Sequence, residues 1–277
     1  MNGKTHMGKA MKKKFFTPEP RVIAHRGAPL EFPENTLPSF RRAVEIGADV
    51  IETDIHYTRD GSFVHIHDDD CERLTGRKAR VNELTLSELK ELDAGYSFST
   101  DGGKSFPFRG KGIRLISLQE ALEEFPSQRF NIDLKDRNPE QVSRYVEILR
   151  SMNACERVLS ASEHAANNRR VREMLPGVAT SFALPEALWF YFLFKSGLLF
   201  FKMSFVPDAL QIPEYLGPSH VASETFIRAA HERGIRVHIW TVNEEGDMRR
   251  LFQAGVDGIV SDNPSLLKRI AAEYYQP

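Results

Sequence analysis

Short apolar runs alternate with amphipathic helical stretches along nearly all of this 277-residue chain, and that alternation leaves few architectures open. Strands read at 21–25, 48–58, 62–67, 130–136, 157–160, 178–183, 209–212, 237–242 and 258–261. The helices between them carry their own signals. One spans about 37–46, capped by Asn35 or Thr36 and stopped by Gly47. Capping boxes at Thr85–Glu88 and Ser117–Glu120 open two more, and Asn138-Pro139 opens a helix to about Met152. A parallel α/β fold follows. Eight parallel strands close a barrel, so one of the candidates is supernumerary: the return at 62–67 or the weak strand near Ala209. A closed barrel is expected over an open doubly wound sheet, because no Gly-rich dinucleotide fingerprint follows the first strand. Residues 1–20 read as an N-terminal tail, 21–277 as the barrel domain, and about 68–112 as an insertion that breaks its rhythm.

Composition narrows the function classes. The 41% hydrophobic and 27% charged content is that of a globular protein, and 37 basic against 38 acidic residues give no broad field for a nucleic acid. The basic run Lys12-Lys13-Lys14 sits in the polar tail, where a solvated end is expected. Two cysteines, Cys71 and Cys155, cannot build a disulfide scaffold or a cysteine zinc site. With no apolar h-region in residues 1–20, a reducing, cytoplasmic setting is expected.

The polar residues concentrate in one hairpin. Asp60-Gly61 is a strong turn signal, and a tight turn there sets Asp54 across from His67 and His56 across from His65. Alternation then puts Glu52, Asp54 and His56 on one face, joined by His65 and His67. Other strands also end in polar groups: His25-Arg26, Asp133 with Lys135, and Trp240-Thr241. In a parallel α/β fold such endings gather at one site.

Glu52, Asp54 and Asp133 offer hard oxygen ligands in a number that suits Mg²⁺ or Ca²⁺. The competing arrangement pairs Asp133 with Lys135 and Glu52 with an arginine. His25 and His67, one on each of two strands, can act as general acid and base. Arg26 and Lys135 supply fixed positive charge for an anionic substrate, and with a divalent cation they suit a phosphodiester. No Gly-x-Ser-x-Gly context surrounds Ser160 or Ser162, which argues against a serine hydrolase.

One stretch, Leu188 to Met203, is apolar on nearly every side, unlike an outer barrel helix. Lys195, Ser196, Gly197 and Lys202 interrupt it too early for a membrane span. Two readings remain open: a buried helix or dimer contact, and an interfacial patch toward a membrane or lipid-like substrate through Leu188–Phe201.

Taken together, His25-Arg26-Gly27, Pro33-Glu34-Asn35-Thr36, Glu52-Thr53-Asp54, Thr58-Arg59-Asp60-Gly61, His67-Asp68, Arg73-Leu74-Thr75, Asn131-Ile132-Asp133-Leu134-Lys135 and Trp240-Thr241-Val242-Asn243 resemble the glycerophosphodiester phosphodiesterase family, in family order from about Val22 to Ile270. The resemblance implies a TIM-type (β/α)8 barrel with a small inserted subdomain. It implies Glu52 and Asp54 as metal ligands, His25 and His67 as the acid/base pair, Arg26 and Lys135 at the phosphate, and Trp240 in the substrate pocket. The implied reaction releases an alcohol and glycerol 3-phosphate from a glycerophosphodiester.

Two departures stand out. The third metal ligand is usually glutamate in the family, where this chain has the shorter Asp133, as sphingomyelinase D-like relatives do. The usual Ser-Phe after the fifth strand reads Ser160-Ala161, which removes an aromatic wall. Asp133 and the aromatic stretch favour, as the alternative, a lysophospholipase D-type activity on lipid substrates. A catalytically silent lipid-binding barrel is the remaining alternative, and the paired imidazoles weigh against it.

Overall fold

A computed structural model describes residues 13–201 and 203–275. A 3-10 turn, Lys14–Phe16, precedes β1 (Val22–His25), α1 (Leu37–Ile46), β2 (Val50–Tyr57) and β3 (Phe63–His65). The insertion carries α2 (Glu72–Thr75) and α3 (Leu86–Lys90). Regular alternation resumes with α4 (Leu118–Glu124), β4 (Arg129–Leu134), α5 (Val142–Ser151), β5 (Val158–Ala161), α6 (Ala165–Met174), β6 (Ala179–Thr180) and α7 (Leu184–Lys195). After β7 (Ala209–Pro213) comes a small ribbon of β8 (Tyr215–Leu216) and β9 (Ser219–His220). The chain ends with α8 (Glu224–His231), β10 (Arg236–Trp240), α9 (Glu245–Gln253), β11 (Gly258–Ser261) and α10 (Pro264–Tyr274).

Eight parallel strands run in the order β6-β5-β4-β2-β1-β11-β10-β7. A parallel bridge from Ser181 to Ala209 joins the two ends, leaving a nearly closed (β/α)8 barrel. The supernumerary strand is the hairpin return β3, which pairs antiparallel with β2 alone. Val22, Ile51, Phe130, Val237 and Ile259 pack outward into the main core shared with the helices. Inside the barrel, Ile23, Val50, Leu159, Ala179, Ala209 and Val260 meet Phe15 and Phe16, which seal the N-terminal ends of the strands. Residues 13–20, assigned to the tail by sequence, therefore include the barrel floor, and Arg129 holds them by donating to Phe15 O and Pro18 O. Of the basic run, Lys13 donates to Pro176 O and Lys14 pairs with Glu156, while Lys12 lies outside the described residues.

The insertion is a subdomain with its own small core of Val64, Ile66, Cys71, Leu74, Val81, Leu89, Ala94 and Leu115. Both capping boxes form as expected. Asn138 caps the turn that leads into α5, its Oδ1 accepting from Glu140 N at 3.0 Å, and the helix proper begins later than expected, at Val142.

The hairpin register differs from the expected one. Ile55 pairs with His65, His56 with Val64 and Tyr57 with Phe63. Thr58 N donates to Ser62 O, so Arg59, Asp60 and Gly61 form a three-residue loop in which Gly61 takes φ +83°. One residue more in the loop moves β3 by one position and turns its side chains to the other face. His65 thus leaves the barrel interior. It is fully buried against Phe40 on the helix side, with Nδ1 2.7 Å from Thr53 Oγ1.

Candidate active site

A cavity of about 420 Å³ opens at the C-terminal ends of the barrel strands. Its walls include His25, Arg26, Glu52, Asp54, His67, Asp133, Lys135 and Trp240, so the eight residues selected from sequence converge on one space. His56 is buried nearby, 3.1 Å from Asp136 Oδ1 and from His67 O, and supports the strand ends.

The first wall depends on an unusual turn after β1. Arg26 takes φ +53° and Gly27 φ +93°, and a Cβ on Gly27 would overlap Ser39. Ser39 Oγ accepts from Ala28 N at 2.8 Å and donates to Arg26 O at 3.0 Å. Asn35, at φ +57°, closes the loop by donating its backbone N–H to Arg26 O. Its side chain then reaches Asp54 Oδ2 at 3.3 Å, held in that orientation by Thr53 Oγ1, which donates to Asn35 Oδ1 at 2.7 Å.

Parallel pairing of β2 and β4 sets Glu52 beside Asn131 and Asp54 beside Asp133. Lys135 Nζ lies 2.9 Å from Asp54 and 2.8 Å from Asp133, and Arg26 Nε lies 3.3 Å from Asp54. Burial opposes ionisation of Asp54, but Lys135 and Arg26 outweigh it and hold the carboxyl below its ordinary value. Glu52 makes no lysine or arginine ion pair among the described residues; its nearest cationic partner is His25 Nε2, at 3.9 Å. Burial and then the Asp54 charge push Glu52 up to about 7, and burial likewise raises Asp133 despite Lys135. The competing arrangement is therefore half present: Asp133 pairs with Lys135, whereas Arg26 reaches Glu52 through its backbone N–H, at 3.2 Å.

Each catalytic histidine candidate is oriented by an aspartate at Nδ1. His25 Nδ1 is 2.6 Å from Asp262, which also accepts from Asn243 at 2.7 Å, and His25 Nε2 is left 3.9 Å from Glu52. Burial disfavours the His25 imidazolium, but Asp262 and Glu52 outweigh it and raise its pKa. His67 Nδ1 is 2.8 Å from Asp68, which Arg73 grips at 2.5 Å. Arg73 also donates to Glu34, and Glu34 in turn accepts from Arg26 at 2.9 Å. One ion-pair chain thus links the His67 side of the cavity to Arg26.

Asp262 was absent from the sequence-based selection although the signal was available. It follows β11 as Asp133 ends β4, in the polar run Ser261-Asp262-Asn263. Glu34, Asp68 and Arg73 stood in recognised motifs without a role until their contacts were seen.

A divalent cation fits the donor set by its chemistry. Glu52 and Asp133 are carboxylates raised by burial, and Asn131 Oδ1 is a buried carbonyl oxygen with no hydrogen-bond partner beside them. A hard cation would relieve both conditions. Among the described residues the carboxylates do not form a ready three-ligand cage. Lys135 supplies the local positive charge between Asp54 and Asp133.

The cavity's assignment gains from likeness to known proteins. The model of the glycerophosphoryl diester phosphodiesterase family matches residues 25–266. A glycerophosphodiester phosphodiesterase of Caldanaerobacter subterraneus subsp. tengcongensis is 32% identical over 253 residues, spanning 89% of this chain and 95% of that relative. Human lysophospholipase D GDPD1 is 27% identical over 270 residues, 89% of this chain and 84% of its own. Among solved structures, a glycerophosphoryl diester phosphodiesterase domain from Mycobacterium tuberculosis superposes with a TM-score of 0.79 at 21% identity, covering 91% of this chain and 98% of that one. An Oleispira antarctica phosphodiesterase, solved with the product sn-glycerol-3-phosphate, gives 0.72 at 24% identity, covering 93% and 97%. The motif order, the (β/α)8 barrel and the matched span from His25 onward place this chain in the glycerophosphoryl diester phosphodiesterase family, a family of enzymes.

Proposed function

We propose that the cavity hydrolyses glycerophosphodiesters to an alcohol and glycerol 3-phosphate, with His25 and His67 as the general acid and base. The observation that carries this reading is the pair of aspartate-oriented imidazoles on one cavity that also holds three carboxylates and two cations. Asp262 and Asp68 occupy Nδ1 of the two rings, which leaves each Nε2 for proton transfer. One ring takes the proton of the attacking hydroxyl or water, and the other delivers a proton to the departing alkoxide. Arg26 and Lys135 bind the phosphate oxygens and stabilise the charge that gathers on them in the transition state. Trp240, 46% exposed at the rim, offers an apolar wall to the substrate's glycerol or alcohol part.

Glu52, Asp54 and Asp133, with Asn131 Oδ1 adjacent, would hold Mg²⁺ or Ca²⁺. When bound, the cation supplies Lewis-acid charge neutralisation at the phosphate. Aspartate at position 133 shortens that ligand by one methylene, and Ala161 leaves the β5 side of the cavity without an aromatic wall. Both favour room for bulkier substrates, and likeness to human lysophospholipase D supports a second reading in which lysophospholipids are also cleaved.

The test is turnover of glycerophosphocholine and of a lysophospholipid with Mg²⁺, Ca²⁺ or chelator. His25→Ala and His67→Ala should each lower kcat by roughly 10²–10⁴-fold, the usual worth of general acid–base catalysis. Near wild-type activity in both variants would refute these roles.

A further inference from the structure

The aromatic stretch after β6 has a use that the hydrolytic reaction leaves unexplained. Helix α7 buries Phe190 and Leu193 and packs Ala187, Tyr191 and Phe194, half-buried, against the core. Its other side exposes Leu184, Leu188, Trp189 and Phe192, with the Trp189 and Phe192 rings stacked 5.4 Å apart. The expectation of a buried helix is therefore corrected to a half-buried one, and the dimer contact offered beside it becomes an outcome of the test below. Gly197, at φ +73°, ends the helix and turns the chain into the 3-10 segment Leu198–Phe200, which lifts Phe200 and Phe201 into solvent. Phe200 is 91% exposed and Phe201 60%. Two groups of exposed rings, Trp189 with Phe192 and Phe200 with Phe201, on one short segment of a globular protein mark a contact surface.

Charge and position choose among its occupants. Between Glu186, which pairs with Arg172, and Asp208, which accepts from Thr180 N, the sequence holds two lysines, Lys195 and Lys202, and no carboxylate. Projecting aromatics with the exposed Lys195 at the helix end match the headgroup–acyl boundary of an anionic bilayer, where rings enter and ammonium groups meet phosphates. A twofold pairing of two copies through this segment would set Lys195 of each against residues 187–201, which hold no carboxylate. The same helix also lines the catalytic cavity through Leu184 and Ala187, so a membrane on this face would lie next to the cavity mouth. No helix among the described residues is long and apolar enough to cross a membrane, which leaves surface contact as the mode.

We propose that α7 and the Leu198–Phe201 turn dock the enzyme on an anionic phospholipid surface and turn the catalytic cavity toward it. The docking itself stands apart from the catalytic reading; only the delivery of lipid diesters to the cavity rests on it.

Flotation with phosphatidylcholine vesicles, with and without phosphatidylglycerol, tests the surface directly on the full chain. The wild type should float with the phosphatidylglycerol vesicles, less so with phosphatidylcholine alone or at high salt. Phe200→Ser/Phe201→Ser should lower the fraction bound by about 10-fold or more, given the worth of two buried aromatics. Both proteins should hydrolyse water-soluble glycerophosphocholine at equal rates. Loss of that activity in both would sink the catalytic reading and leave the docking result standing. No flotation of the wild type, or equal flotation of the variant, would overturn the docking. So would light scattering that shows a wild-type dimer which the double variant splits.

Discussion

Glu52 is the residue on which the site's chemistry and the fold's stability pull in opposite directions. Burial and the ionised Asp54 outweigh the nearby His25, Lys135 and Arg26, so its carboxyl is raised to about 7. A carboxyl with a folded pKa above its unfolded value of about 4.3 adds stability only while protonated. That contribution is full below the unfolded pKa and is lost as pH rises through about 7. At pH above 7 the charged Glu52 therefore costs stability, which function retains if the group must bind a cation. Glu52→Gln should raise thermal stability at alkaline pH by roughly 1–3 kcal/mol while abolishing turnover. A thermal scan in which Glu52→Gln melts lower than wild type, or an active variant, would count against this account. The candidate ligands Glu52, Asp54 and Asp133 were legible because each strand residue's face follows from alternation. The Asp54–Lys135–Asp133 bridge was only half legible, because which carboxylate an ammonium reaches depends on register between β2 and β4.

At the scale of elements, the hairpin and β10 show where sequence reading stopped. Asp60-Gly61 serves both a two-residue turn and a three-residue loop with a left-handed glycine, and the two differ by one register step. His65 consequently belongs to the outer core, where it is fully buried, and burial depresses its pKa to about 3. On β10, His238 is also fully buried, 6.2 Å from the Phe16 ring in the barrel floor, with its pKa lowered to about 4. Burial dominates in both, against the raising influence of Asp54 on His65 and of Asp257 on His238. The unfolded chain takes up these protons below about pH 6.5, whereas the fold resists until about 3 or 4. Stability is therefore full above that unfolded pKa and falls as pH drops through the window, by up to about 1.4 kcal/mol per pH unit for each imidazole. Glu52, His25 and His56, all raised, pull the other way over the same window. From about pH 7 to about pH 5 the urea midpoint of His238→Leu should therefore fall less, or rise more, than that of the wild type. An equal change in both proteins would remove His238 from the explanation. The floor itself was hidden because Phe15 and Phe16 lie next to a lysine run, and their burial needs strands from across the whole barrel.

For the whole molecule, the alternation of strands and helices was enough to predict the barrel, since each strand needs two covered faces and each connection must return over the outside. The insertion at 68–112 also announced itself by loss of periodicity, and it folds around its own small core beside the His67 wall. What remained out of reach was convergence: Asp262 and Asn243 approach His25 only because β11 lies beside β1 and β10. The resulting cavity brings the proposed acid/base pair His25 and His67, the positive charges of Arg26 and Lys135 and a candidate cation site together. The direct test of that combination is phosphorus NMR of glycerophosphocholine incubated with the purified chain and Mg²⁺ or Ca²⁺. The account predicts a growing glycerol 3-phosphate resonance that chelator suppresses and that His67→Ala nearly eliminates. No turnover with either cation, or release of phosphocholine in place of glycerol 3-phosphate, would contradict it.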